Sequence, residues 1–271
     1  MSGLGLLQRN PYAAARAAAG ALEKLTDVMK HDIAIVLGSG WAPAADFLGP
    51  PDADFPVTDL PGFLPPIVDG HAGRVRSVTV GERHLLVFLG RTHLYEGHGV
   101  EATVHAVRTA GAAGCRIVIL TNGCGGLEGW HRPGMPVLIR DHLNLTGQSP
   151  LPPACFLDQT EVYSARLRAL GHEVEPSLTE CVYAQVRGPQ YETPAEIGMI
   201  KTLGGQLVGM STVLEAIAAR EAGMEVLGLS LVTNQAAGMT GRPLSHQEVQ
   251  AAGQAAAERI GRLLAEVINR L

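Results

Sequence analysis

Short apolar runs alternate with helical segments along the chain, which is the pattern of an α/β protein. The segments predicted as helices cover residues 11–29, 101–113, 212–222 and 245–270, with a further helix that opens at Thr193. The runs predicted as strands cover residues 33–37, 75–80, 84–89, 116–120, 137–140, 181–186, 207–208 and 226–232. Some strands follow each other directly, so we expect a mixed sheet within a single domain spanning residues 1–271.

Polar side chains follow these apolar runs at several predicted strand ends. Ser39, Arg91, Asn122, Ser211 and Asn234 each come directly after an apolar run or within two residues of one. In a wound α/β sheet such ends meet at one edge, where ligands bind. Serine and asparagine are also ordinary turn and cap residues, so each one alone fits a plain turn. Five together, beside glycines that let a ligand approach the backbone, predict a binding site.

The segment 90–97 holds a guanidinium, an imidazole, a phenol and a carboxylate just after a predicted strand, on Arg91, His93, Tyr95 and Glu96. A guanidinium can grip a phosphate through two parallel hydrogen bonds. A histidine and a tyrosine two residues apart can reach a sugar or the same anion. The alternative is a surface turn with solvated charges.

Gly38-Ser39-Gly40 also follows a predicted strand. It lacks the third glycine of a dinucleotide-binding loop, because the position three residues after Gly40 is Pro43, and this argues against a dinucleotide cofactor. A backbone nest with a serine hydroxyl suits a single phosphate. A plain strand-to-helix turn remains the alternative.

Two glutamates lie near Thr193, and the sequence suggests a helix-capping role for only one of them. Glu196 completes a capping box with Thr193, whereas Glu192 has no such role. A carboxylate beside Tyr191 can accept hydrogen bonds from a heterocycle stacked on the ring, and a solvated loop glutamate is the alternative.

The histidines fall into three kinds of position. His246 follows the cap residue Ser245 in the first turn of the final helix, where the helix dipole favours a neutral ring that can bond a hydroxyl. His71 lies between glycines and is accessible in a loop. For His142 we expect a structural role, with its ring bonded to backbone.

Charge and composition argue against several classes of binding partner and site. A net charge of −5 with scattered Lys and Arg residues gives no basic surface for nucleic acid, and no apolar run approaches the roughly 20 residues that span a bilayer. The four cysteines form no C-x-x-C pair, so neither a zinc site nor a redox dithiol is indicated. We therefore expect a soluble, cytoplasmic protein without a large polyanionic partner.

Taken in order, these segments match a known pattern: the chain resembles the trimeric purine nucleoside phosphorylases specific for 6-oxopurine nucleosides. The similarity covers nearly the whole chain in family order, through residues 38–40, 70–73, 90–97, 121–126, 141–144, 188–192, 209–212 and 233–246. The chain departs from the family pattern in the residues before His71, in Gly123 and Cys124, where alanines are common, and in Tyr191, which replaces a phenylalanine.

The resemblance implies a mixed, partly barrel-like sheet flanked by helices. It also implies reversible cleavage of inosine, guanosine and their 2′-deoxy forms by phosphate, a reaction of purine salvage. Inorganic phosphate is then a co-substrate, and no cofactor or metal is implied. The implied phosphate ligands are Ser39, His71, Arg91, His93, Ser211 and the backbone N–H of Gly123.

The resemblance assigns the other subsites in the same way, with Asn234, Glu192 and His93 as the catalytic residues. Tyr95, Met210 and His246 would hold the ribose. Tyr191, Glu192, Thr233 and Asn234 would hold the purine. Phe156 resembles the aromatic residue that the family contributes to a neighbouring subunit's site, which implies a homotrimer.

Asn234 bears on base specificity, because its amide can donate to a 6-oxo group, whereas the related phosphorylases that act on methylthioadenosine usually carry an aspartate there. Two other classes of function are open to this sequence. One is a sensor that binds a purine without cleaving it, and the other is a structural oligomer that keeps the fold. The phosphate-binding residues argue against the sensor, because a nucleobase sensor has no need of phosphate.

Overall fold

The computed structural model describes residues 3–65, 67, 71–241 and 243–271. Its strands are β1 (Ile33–Leu37), β2 (Ala53–Pro56), β3 (Arg74–Val80), β4 (Arg83–Leu89), β5 (Ile117–Gly126), β6 (Pro136–Asn144), β7 (Glu180–Gln185), β8 (Leu207–Gly209) and β9 (Glu225–Gln235). Its helices are α1 (Gly3–Arg9), α2 (Pro11–Thr26), α3 (Gly99–Thr103), α4 (His105–Ala112), α5 (Ala165–Val174), α6 (Pro194–Thr202), α7 (Val213–Glu221) and α8 (His246–Arg270).

The strands form one mixed sheet in the order β2-β3-β4-β1-β5-β8-β7-β6-β9. The last strand, β9, also pairs in parallel with β5, so β5, β8, β7, β6 and β9 close into a ring. The prediction of a mixed, partly barrel-like sheet in a single-domain α/β fold is confirmed.

β1 lies at the centre of the open part of the sheet, in parallel with β4 and β5, and all five of its residues are buried. Ile33, Ile35 and Leu37 pack in the core that includes the α8 residues Ile260 and Leu264. The residues between them, at positions 34 and 36, pack in the core on the other face, which includes residues of α2, α4 and α7. A strand covered on both faces explains the unbroken apolar run, and each large side chain buried there contributes about 1.5–3 kcal/mol.

Capping side chains fix several helix starts. Asn10 accepts a hydrogen bond from the N–H of Ala13 at 3.0 Å and begins α2, with a proline at its first position. The capping box of Thr193 and Glu196 is present at α6, as predicted. Ser245 accepts the N–H of Glu248 and begins α8, also as predicted.

Several boundaries differ from the prediction. The strands predicted to end at residues 120, 140 and 232 continue as β5, β6 and β9 through polar residues, because those residues stay paired in the ring. The helix predicted over 101–113 is two helices separated at Val104. The pattern did not predict α1, β2 or α5.

The predicted hairpin of β3 and β4 is present. All four cysteines are free. None of the described helices combines the length and the apolarity that crossing a bilayer requires.

Candidate functional site

A cleft of about 680 Å³ opens where β1, β4, β5, β8 and β9 end or approach their ends. Of the site residues predicted from the sequence, all but His71 and Phe156 line it: Ser39, Arg91, His93, Tyr95, Gly123, Tyr191, Glu192, Met210, Ser211, Thr233, Asn234 and His246. The prediction that polar strand ends converge is confirmed by this arrangement.

Arg91 is buried directly after β4 and is held on two sides. Its Nε donates to Oε1 of Glu215 at 3.2 Å and lies 3.0 Å from Oε2 of the same carboxylate in a buried ion pair. Its Nη1 donates to the backbone carbonyl of Thr121 at 2.6 Å. Its Nη2 is buried and has no hydrogen-bond partner among the described residues. The guanidinium is therefore fixed in place with one nitrogen left to bind an acceptor.

The loop after β1 lies against this guanidinium. The N–H of Gly38 donates to the hydroxyl of Thr121 at 3.0 Å. A Cβ at position 38 would collide with Nη1 of Arg91 and would lie 2.5 Å from the Thr121 carbonyl oxygen. Position 38 therefore requires glycine, because any side chain would push the loop away from Arg91. The hydroxyl of Ser39 lies 3.2 Å from Nε2 of His71.

Three aromatic rings stack beside this loop. The ring centroids of His71 and His93 are 5.2 Å apart, and those of His93 and Tyr95 are 4.7 Å apart. Burial, followed by the charges of His93 and Arg91, lowers the pKa of His71 to about 3. Burial also lowers the pKa of His93, so both rings are neutral near pH 7.

Glu96 sets the tautomer of His93. Its carboxylate lies 3.2 Å from Nδ1 of His93 and accepts the backbone N–H of the same residue at 2.7 Å. Burial opposes ionisation of Glu96, but these hydrogen bonds outweigh it and lower the pKa of its carboxyl. Because an ionised carboxylate only accepts, Nδ1 of His93 carries the proton and Nε2 offers a lone pair.

Ser211 is followed by a strained turn. Thr212 has φ 84° and ψ −47°, which a β-branched residue rarely adopts and which costs about 1–3 kcal/mol. The N–H of Val213 donates to the carbonyl of Ser211 at 3.1 Å and closes a γ-turn. The amide of Asn122 donates to the Thr212 hydroxyl at 2.9 Å.

The same cleft also carries a half-buried carboxyl and an amide, on Glu192 and Asn234. Burial raises the pKa of Glu192. The hydroxyl of Thr233 donates to Oδ1 of Asn234 at 2.9 Å, and Nδ2 of Asn234 donates to the carbonyl of Gln235 at 3.1 Å. These contacts orient the Asn234 amide and leave one of its two N–H donors for a ligand.

Tyr95 and Met210, which also line the cleft, are close neighbours. A Cβ at Gly188 would lie 3.0 Å from the Tyr95 ring and would collide with the sulfur of Met210, so both side chains pack over the same glycine. His246 begins α8 and lines the same cleft.

Other predicted residues have different surroundings. Phe156 is 97% exposed on a loop away from the cleft. Asn122 lines the cleft, but its carbonyl oxygen accepts from Ser230 and its amide donates to Thr212, so its side chain is used within the protein. The expectation that the His142 ring bonds backbone is wrong, because its Nδ1 lies 3.2 Å from the Tyr163 hydroxyl. Pro66, Val68, Asp69 and Gly70, which precede His71, lie outside the described residues.

The contacts by which two glutamates hold the site in place were not predicted from the sequence. Glu96 follows His93 by three residues, and Glu215 follows Thr212 by three. The second spacing, a threonine with a glutamate three positions later before an apolar run, is the signature of a capping box and could have been found. Its contact with Arg91 spans 124 residues and has no local signature.

The chain matches known phosphorylases over most of its length. The family model described as Phosphorylase superfamily matches residues 32–269. The purine nucleoside phosphorylase of Mycobacterium tuberculosis is 56% identical over 261 residues, covering 96% of this chain and 97% of that protein. The purine nucleoside phosphorylase of Cellulomonas sp is 56% identical over 266 residues, covering 96% and 94%. A crystal structure of Schistosoma mansoni purine nucleoside phosphorylase in complex with adenosine is similar with a TM-score of 0.86 at 30% identity, covering 96% and 97%.

Proposed function

The chain belongs to the phosphorylase superfamily, and we propose that it is a purine nucleoside phosphorylase, a pentosyltransferase that cleaves 6-oxopurine nucleosides with inorganic phosphate. The observation that carries this proposal is the placement of a free guanidinium nitrogen on Arg91 in the same cleft as Glu192 and Asn234. An anion site at one end and a heterocycle site at the other fit a reaction in which phosphate displaces a base from a sugar.

The phosphate subsite comprises Arg91, the hydroxyls of Ser39 and Ser211, the N–H of Gly123, and His93 with His71 beside it. Nη2 of Arg91 donates to a phosphate oxygen, and the hydroxyls and the N–H donate to others. Neutral His93 accepts the remaining O–H of hydrogenphosphate through Nε2. The subsite thus offers several hydrogen-bond donors and one acceptor. Hydrogenphosphate matches this set, because its unprotonated oxygens accept hydrogen bonds and its O–H donates one.

The purine subsite comprises Glu192, Asn234, Thr233 and Tyr191. The Glu192 carboxylate accepts from N1–H and from the exocyclic amine of guanine. The free N–H of Asn234 donates to N7 or O6 of the base. Tyr191 lies against the face of the ring. Adenine has an acceptor at N1 and a 6-amino group, so it presents the wrong partner to both the carboxylate and the amide donor.

The ribose subsite is proposed to lie between these two. Tyr95 and His246 bind the 3′ and 5′ hydroxyls, and Met210 packs against the sugar. A sugar held at both ends keeps C1′ between the phosphate and the purine, which converts the displacement into a unimolecular step.

In the reaction, an oxygen of hydrogenphosphate forms a bond to C1′ while the bond from C1′ to N9 breaks. The bonding electron pair moves into the purine, and the proton carried by hydrogenphosphate ends on the released base. The products are ribose 1-phosphate and a neutral purine. Phosphate stabilises the positive charge that develops on the sugar, and Asn234 stabilises the negative charge that develops on the purine. No step requires a cofactor.

The active protein is proposed to be a cytoplasmic homotrimer built from single-domain subunits. Phe156 supports this assembly because an aromatic ring that is 97% exposed lacks a packing partner within its own subunit. It is proposed to complete the site of a neighbouring subunit. Sedimentation that shows a monomer at assay concentrations would contradict this part of the proposal.

The test is release of free purine from inosine with and without phosphate. Release that depends on phosphate is expected, with ribose 1-phosphate formed in equal amount. Release without phosphate would indicate a hydrolase, and binding without release would indicate a sensor. Adenosine belongs in the same assay, and Asn234→Asp is expected to shift activity toward adenosine because an aspartate accepts from the 6-amino group. Equal rates on adenosine and inosine in the unaltered protein would contradict the assigned base specificity.

A further inference from the structure

One carboxylate outside the cleft contacts two elements of the proposed phosphate subsite. Glu215 lies in the first turn of α7, and its side chain is 1% exposed. Its Oε1 accepts a hydrogen bond from Nε of Arg91 at 3.2 Å, and its Oε2 lies 3.0 Å from the same nitrogen in an ion pair. Its Oε2 also accepts the backbone N–H of Thr212 at 3.0 Å. The described residues that line the cleft do not include Glu215, so it acts on the site through its neighbours.

The turn that Glu215 holds carries the Ser211 hydroxyl. Oγ of Ser211 lies 3.2 Å from Oγ1 of Thr212, whose backbone has the positive φ described above. Gln185 holds the following residues by accepting the N–H of Val213 at 2.8 Å and that of Leu214 at 3.2 Å. A backbone in this conformation persists only where surrounding contacts enforce it. Glu215 supplies one of those contacts and binds Arg91 with the same carboxylate.

We infer that Glu215 is a positioning residue that fixes Arg91 and Ser211 relative to each other, so that phosphate meets a preorganised pair of ligands. This inference rests on the proposed function. It predicts that changes at Glu215 weaken phosphate binding without an equal effect on nucleoside binding, because the base and ribose residues make no contact with Glu215 in the described hydrogen bonds.

Charge and geometry make opposite predictions for Glu215→Gln. If Glu215 acted only by neutralising Arg91, its removal would free a positive charge and would strengthen phosphate binding. If it acts by position, the amide NH₂ faces the Arg91 donors, one contact is lost, and phosphate binding weakens. Glu215→Asp separates the two further, since it keeps the charge but is one methylene too short to hold both partners.

The experiment measures kcat and the KM values for phosphate and inosine in both variants. We expect the phosphate KM to rise about tenfold or more, as for loss of a hydrogen bond to a charged group, while the inosine KM changes less than about threefold. Glu221→Gln is the matched control. Glu221 lies in the same helix and pairs with the buried Arg108 at 3.6 Å, but it does not line the cleft. Its KM values should stay unchanged.

Thr212→Ala tests the same arrangement from the other side if the Glu215 variants do not fold. It removes the hydroxyl that contacts Asn122 and Ser211 and keeps the N–H that Glu215 accepts. The phosphate KM should again rise selectively. A phosphate KM that falls or stays constant, or an inosine KM that rises equally, would overturn the inference. If the unaltered protein shows no phosphate-dependent release, the proposed function fails instead, and the two failures are distinct.

Discussion

At the scale of single residues, the raised pKa of Glu192 makes base recognition depend on pH. Burial disfavours its carboxylate, so the group takes up a proton at a higher pH than an exposed glutamate. In the proposed purine subsite the ionised form would accept from N1–H of inosine, whereas the protonated form would donate to N1 of adenine. Lowering the pH through this pKa should therefore weaken inosine binding and relax the discrimination against adenosine.

We expect the inosine KM at saturating phosphate to rise on the acid side, by about tenfold for each pH unit below the pKa of Glu192. The KM values for inosine and adenosine are measured from pH 5 to 8, and their ratio gives the discrimination between the two nucleosides at each pH. Glu192→Gln provides the control, because an amide does not titrate in this range. If the ratio of the two KM values changes with pH equally in the unaltered protein and in Glu192→Gln, a group other than Glu192 controls the discrimination.

The residues that touch the proposed ligands could be predicted from the sequence, because each follows an apolar run or belongs to a recognisable motif. Arg91 and Asn234 are examples, and both line the cleft. The residues that hold them could not be found in the same way. The partners of Arg91 are Glu215 and the Thr121 carbonyl, which lie 124 and 30 residues away in sequence. Such contacts depend on the closed ring of strands, and local patterns do not encode it.

At the scale of elements, the strand boundaries show where pattern and structure diverge. Thr121, Asn122 and Thr233 are polar and follow apolar runs, so they predict turns. In the structure they extend β5 and β9, which stay paired in parallel through a register shift after Cys124. Their polar groups are satisfied inside the protein, as the Ser230 to Asn122 hydrogen bond of 2.9 Å shows. Polar residues can continue a buried strand when distant partners satisfy them.

The contact between α8 and the loop after β1 gives a prediction at the same scale. A Cβ at Gly253 in α8 would lie 2.5 Å from the Gly40 carbonyl oxygen. Gly253→Ala should push α8 away from the loop, cost about 1–3 kcal/mol and lower Tm by roughly 2–4 °C for each kcal/mol. Because His246 begins α8, the inosine KM should rise as well.

Gly20→Ala is the matched control for this substitution. Gly20 lies inside α2, and a Cβ there meets nothing within 4 Å. Alanine at this position should stabilise the protein by about 0.5–1 kcal/mol, because glycine disfavours the helix interior. Thermal unfolding of both variants measures the difference. A Gly253→Ala variant as stable as Gly20→Ala would show that α8 does not need to approach the loop so closely.

At the scale of the whole molecule, buried neutral histidines couple stability to pH. Burial is the largest cause of a lowered pKa at six histidines, spread over both faces of the sheet and the cleft: His31, His71, His93, His105, His131 and His142. In the unfolded chain their pKa returns to about 6.5. The unfolded chain then binds more protons than the folded one below that pH, so stability is full above about pH 6.5 and falls as the pH falls.

His31 allows the effect to be measured at one group. It is 1% exposed, its Nε2 lies 3.0 Å from the Ser77 hydroxyl, and burial lowers its pKa to about 4. Between pH 6.5 and 5 this histidine alone should remove about 1.6 kcal/mol from the free energy of unfolding. His31→Gln should be less stable at pH 7.5, because the buried pair is disturbed, but its stability should fall less steeply with pH. The control is His98→Gln, which removes an exposed imidazole in place of the buried one. Urea unfolding at pH 7.5, 6.5, 5.5 and 5.0 measures how steeply the free energy of unfolding changes with pH. If His31→Gln has the same pH dependence as the unaltered protein, burial does not keep His31 neutral.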